Sequence, residues 1–104
     1  MDLNQALSTI KKSLSGNKII ESKHFKEECT DKNLPVEEIT KIITENEVLG
    51  IVQQEQNVYK VWFFYTSNKD LNIILRILPE EKLRLITLYP CNAERRKREH
   101  APKS

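Results

Sequence analysis

Glycine is scarce in this chain: 2 of 104 residues, alongside 4 prolines, 2 cysteines and a single tryptophan. A loop that cradles phosphate through its backbone needs several glycines in a fixed pattern, and none is present. Cys29 and Cys91 lie far apart, and neither has a second cysteine close by, which excludes a zinc-type pair. No other cluster has metal-ligand spacing, no nucleophile has a base nearby in sequence, and neither a metal nor another cofactor is expected. Long apolar runs are also missing. Val61 to Tyr65 is typical of the longest, so no segment spans a bilayer and no membrane partner is expected. The N-terminus lacks an apolar signal core behind a basic start, which makes the cytoplasm the expected compartment. In that compartment the two thiols are expected to be reduced.

Net charge is also low, at +2, but it is unevenly placed. Residues 94–104 hold Arg95, Arg96, Lys97, Arg98 and Lys103 against Glu94 and Glu99, a local balance of +3 that leaves the rest at −1. A localised cationic patch on a neutral body points to a directed anionic contact. The plainer reading is a solvated basic terminus.

What is present is a change of periodicity. Leu3, Ala6, Leu7, Ile10 and Leu14 recur at helical spacing over 2–15. Asp2 and Gln5 form a capping-box pattern, and Gly16 suits a left-handed helix end. An extended piece, Lys18 to Glu21, precedes Ser22, which can cap a helix carrying His24, Phe25 and Cys29. Pro35 fits the first position of a third helix with the stripe Val36, Ile39, Ile42 and Ile43. From Val48 the pattern turns to β-branched and aromatic residues: Val48 to Gln54, Val58 to Thr66, Leu71 to Leu78 and Leu83 to Tyr89. Short polar connections between them predict consecutive hairpins. The expected fold is α+β: N-terminal helices, then a four-stranded antiparallel meander, then a short basic helix or tail. A single domain is expected over 1–104, with the N-terminal helix in 1–17, the core in 18–92 and the basic tail in 93–104. Strict alternation puts Leu83, Leu85, Thr87 and Tyr89 on one face of the last strand, with Arg84, Ile86 and Leu88 on the other. Helices should cover one face of the sheet and leave the other partly open.

Two stretches resemble the RelE-like superfamily, and within it the BrnT-type toxins and a related uncharacterised domain family with an S-x-H helix start. The first is Ile20-Glu21-Ser22-Lys23-His24, followed by Leu34-Pro35-Val36-Glu37-Glu38-Ile39. The second is Arg84-Leu85-Ile86-Thr87-Leu88-Tyr89, followed by Ala93-Glu94-Arg95-Arg96. Together they span about 18–99 in matching order. The chain departs from the pattern at Asn33-Leu34, where the family carries Arg-Gly, and in its first helix. The resemblance implies a RelE-like sheet that binds RNA (mRNA or the ribosome) and cleaves it without metal, and an antitoxin protein that masks the site.

Such cleavage needs a base for the 2′-hydroxyl, cations on the phosphate and an acid for the leaving oxygen. His24 is the candidate base, because histidine is the residue type whose ordinary pKa lies near neutrality, with Arg84 as the candidate phosphate clamp. Each has a structural counter-reading, His24 as a packed helix-start residue and Arg84 as an ion-paired fold element. Lys23, Arg76, Arg95, Arg96 and Arg98 are candidate phosphate contacts. Tyr59, Trp62, Tyr65 and above all Tyr89 are candidates to stack on unpaired bases, although strand aromatics more often form core. A metal-independent ribonuclease or translation inhibitor is therefore one expected function. The alternative is a non-catalytic RNA- or protein-binding module of the same fold.

Overall fold

The computed structural model describes residues 2–16 and 18–92. Helix α1 (Leu3–Ser15) opens on the expected capping box: the Gln5 amide donates to Asp2 Oδ1 at 2.8 Å, and the Asp2 amide donates to Gln5 Oε1 at 3.0 Å. Strand β1 (Ile19–Glu21) leads into α2 (Lys23–Asp31), capped by Ser22 Oγ, which accepts from the Phe25 amide at 3.0 Å. Helix α3 (Val36–Glu45) follows, then β2 (Val48–Glu55), β3 (Val58–Thr66), β4 (Lys69–Leu78), a 3-10 turn (Pro79–Glu81) and β5 (Lys82–Asn92).

Among the described residues the sheet has five strands in the order β1-β5-β4-β3-β2. The meander β2 to β5 is antiparallel as expected, and the four-stranded expectation is corrected by β1, which adds to β5 in parallel. Three residues are too few to show alternation, so β1 reads in sequence only as a short extended piece.

A second correction concerns β5. Ile74 pairs with Thr87 while Leu75 pairs with Leu85, so Ile86 is an extra residue, a β-bulge. Alternation changes phase there. Leu83, Leu85 and Leu88 face the core, while Arg84, Thr87 and Tyr89 face away, so Thr87, Tyr89 and Leu88 exchange the faces expected of them. Ser22 holds the bulge as well as the helix: its amide donates to Leu85 O at 3.1 Å, and its hydroxyl donates to Ile86 O at 3.2 Å.

Two smaller corrections concern helix ends. Gly16 is right-handed (φ −83°, ψ 1°), because its amide donates back to Leu14 O and Lys12 O. Pro35 precedes α3 instead of opening it.

All three helices pack on one face of the sheet. Ala6, Ile10, Leu14, Phe25, Cys29, Ile39 and Ile43 meet Tyr59, Val61, Phe63, Leu71, Ile73, Leu75, Leu83, Leu85 and Leu88 in one core. Burying so many large side chains, at roughly 1.5–3 kcal/mol each, supplies the main drive for folding. Among the described residues, no helix is long and apolar enough to cross a membrane. The expected basic helix or tail lies outside the described residues.

Candidate nucleic-acid interface

No described helix packs on the second face of the sheet, and its residues follow from the register. One row runs Glu55–Val58 (β2–β3), then Arg76 on β4, Arg84 on β5 and Ile20 on β1. The next holds Val52, Lys60, Ile74 and Thr87, and a third holds Gly50, Trp62, Asn72 and Tyr89. Phe64, Asp70 and Cys91 form the last. Successive rows on one face lie about 7 Å apart.

Arg76 and Arg84 are directly opposite each other. Like charges so placed destabilise a sheet by up to about 1 kcal/mol. Glu55 compensates little: its Oε1 lies 3.5 Å from Arg76 Nη2, on a carboxylate that is 68% exposed. Arg84 is exposed and makes no ion pair among the described residues. One row along, Lys60 Nζ stands 5.0 Å from the centre of the Trp62 ring, a cation–π contact that fixes a third cation on this face. The ring lies against Gly50, where a Cβ would meet Trp62 Cε3 at 3.2 Å. Trp62, Asp70 and Asn72 are buried, so Trp62 offers no surface for stacking. Phe64, at 47% exposure, and half-buried Tyr89 are the accessible rings of this face.

Three expected contacts, Arg76, Arg84 and Tyr89, are thus brought to one face. His24 and Lys23 are not joined to them. They occupy the first turn of α2, on the helix layer, where His24 Nε2 lies 3.7 Å from Glu28 Oε1 and Lys23 Nζ lies 3.9 Å from Glu27 Oε1. No hydrogen bond or ion pair among the described residues links His24 to Arg84. Glu28 also accepts from Lys32, and that hydrogen bond holds its carboxyl below the usual glutamate range. Tyr59 is buried in the core and Tyr65 packs against it, so neither is a stacking platform. Arg95, Arg96 and Arg98 lie outside the described residues.

Neither Lys60 nor Phe64 is among the contacts expected from the sequence. The signal was there in the alternation Val58, Lys60, Trp62, Phe64, which puts a cation among rings on one strand face.

Elsewhere the chemistry is sparse. Cys29 is buried and its thiol is pushed up by desolvation, which keeps it protonated and unreactive. Among the described residues, no group of three His, Cys, Asp or Glu side chains could hold a metal ion. A groove of about 580 Å³ on the helix side is lined by Glu21, Lys26, Val36, Glu37 and Thr40. Two carboxylates against one cation suit it poorly to phosphate.

Residues 3–75 match the MJ0788 family, well over half of the chain. The chain belongs to the MJ0788 family. That match runs from α1 through most of β4, so it includes Gly50, Lys60, Trp62 and Phe64 and stops one residue before Arg76. No curated protein matches the chain. No solved structure matches it either.

Proposed function

We propose that the second face of the sheet binds single-stranded RNA. The observation that carries this reading is the face-to-face pair Arg76–Arg84, which among the described residues is compensated by one exposed carboxylate, on the face that no described helix covers, with Lys60, Tyr89 and Phe64. Guanidinium groups hold backbone phosphate in forked geometry, and accessible rings accept unpaired bases without demanding a sequence. A double helix would gain from the cations but leave the rings unused.

Binding needs only what this face holds. Cleavage needs, in addition, a base at the phosphate, and His24 is paired with Glu28 instead. A non-catalytic RNA-binding module is therefore the favoured function. The RelE-like toxin reading, with metal-independent cleavage and a masking antitoxin, is the second. It rests on the S-x-H helix start, whose Ser22 is tied to β5 beside the strand's Arg84.

One experiment separates the two. Purified protein is mixed with labelled single-stranded RNA and with a ribosome–mRNA preparation, in chelator, beside His24→Ala and Arg84→Ala. The expected result is retained RNA without new fragments, and binding weakened roughly tenfold by Arg84→Ala, about the 1.5 kcal/mol of one charged hydrogen bond. His24→Ala should bind as the parent does. Fragments that persist in chelator and vanish in both variants would establish the ribonuclease instead.

A further inference from the structure

We infer that the Arg76–Arg84 pair is a seat for a phosphomonoester dianion, which on the RNA-binding reading is the terminal phosphate of a strand. The two side chains leave the same sheet face from opposed positions on β4 and β5. Opposed residues have Cβ atoms about 4.5–5.5 Å apart, so both guanidinium forks reach one point above the pair. Each guanidinium presents its N–H donors in a rigid planar fork. Glu55 touches Arg76 alone, at 3.5 Å, and leaves Arg84 uncompensated among the described residues.

A bridging phosphodiester brings one negative charge and two free oxygens. A monoester brings a charge of about −1.5 to −2 at neutral pH and three acceptor oxygens. The second ligand matches the charge of the two guanidinium groups and offers their forks one more acceptor oxygen.

Position on the sheet supports an end over a continuing backbone. Exposed Ile20 flanks Arg84 and buried Val58 flanks Arg76, so among the described residues no third cation follows in that row. Along the strands the pair stands one row from the turn Pro79–Glu81. Lys82 there lies 3.5 Å from Glu80, as loosely paired as Arg76 is with Glu55, and Glu81 lies 3.1 Å from Lys12. Beyond the two arginines, a strand running from Tyr89 toward the turn meets the exposed carboxylate of Glu80 beside Lys82.

The test has two arms. In the first, methyl phosphate and dimethyl phosphate are titrated into the full chain at constant ionic strength, following the Nε–H signals of Arg76 and Arg84. Methyl phosphate should shift both signals, with dimethyl phosphate at least tenfold weaker. In the second, single-stranded RNAs that differ only in a 5′- or 3′-terminal phosphate are compared with their hydroxyl-ended forms. The phosphorylated end should bind at least tenfold tighter, and Arg76→Gln and Arg84→Gln should each abolish that advantage while melting no lower than the parent, since each removes one of two opposed like charges. Equal response to both model phosphates overturns the seat, as does an advantage that survives both variants. Methyl phosphate held at the pair by a protein that ignores RNA would keep the seat and remove the RNA reading. RNA bound with no preference for its end would do the reverse.

Discussion

At the scale of the residue, the second face depends on the absence of a side chain. Gly50 lets the Trp62 ring lie on the backbone of β2, and Lys60 then sits over that ring. A Cβ at 3.2 Å from Trp62 Cε3 must push the ring away, and a ring only 3% exposed has little room to move. Gly50→Ala should therefore cost about 1–3 kcal/mol, more than the usual strand benefit of alanine over glycine recovers. Urea unfolding followed by the fluorescence of this single tryptophan would read it, and an unchanged midpoint would contradict the packing described. The same scale shows what one sequence can and cannot reveal. The caps at Asp2 and Ser22 were legible because each places an acceptor oxygen before an apolar helix stripe. Arg76 and Arg84 were legible as cations in strands. That they stand opposite each other was not, because their register is set by the exact length of the Pro79–Glu81 turn, and β5 begins at Lys82 and not at Leu83.

At the scale of the element, β5 carries most of the difference between expectation and structure. The hairpins and helices were readable from periodicity and turn residues, and their bounds shift by a few residues at most. The bulge at Ile86 is specified by tertiary bonds from Ser22, a residue more than sixty positions away, so local alternation misassigns every face beyond it. Strand β1 escaped for a related reason: its pairing with β5 is parallel and spans only three residues. The corrected register makes an opposed pair of predictions. Leu88→Ala should lose about 2–5 kcal/mol, as large-to-small changes in a packed core do. Thr87→Ala, on the far face, should stay within about 1 kcal/mol. Thermal unfolding of the two variants decides the matter, and the reverse ranking would restore the uninterrupted alternation.

At the scale of the whole molecule, the sheet divides the labour. Its helix side is filled with apolar side chains and supplies stability, while its other side keeps cations that a fold alone has no reason to oppose. That asymmetry was foreseeable in outline, since three amphipathic helices can cover only one face of a four- or five-stranded sheet. Which residues the second face would hold was not, because that depends on the phase of β5. If this face binds RNA, affinity should fall steeply with salt, since each phosphate contact releases counterions. The most direct test of the central claim is an amide chemical-shift map of the protein titrated with a short single-stranded RNA at low salt. Shifts should concentrate on Lys60, Phe64, Arg76, Arg84, Thr87 and Tyr89 and fade as salt is raised. Shifts gathered instead around Lys23 and His24 on the helix layer, or none at all, would contradict the claim.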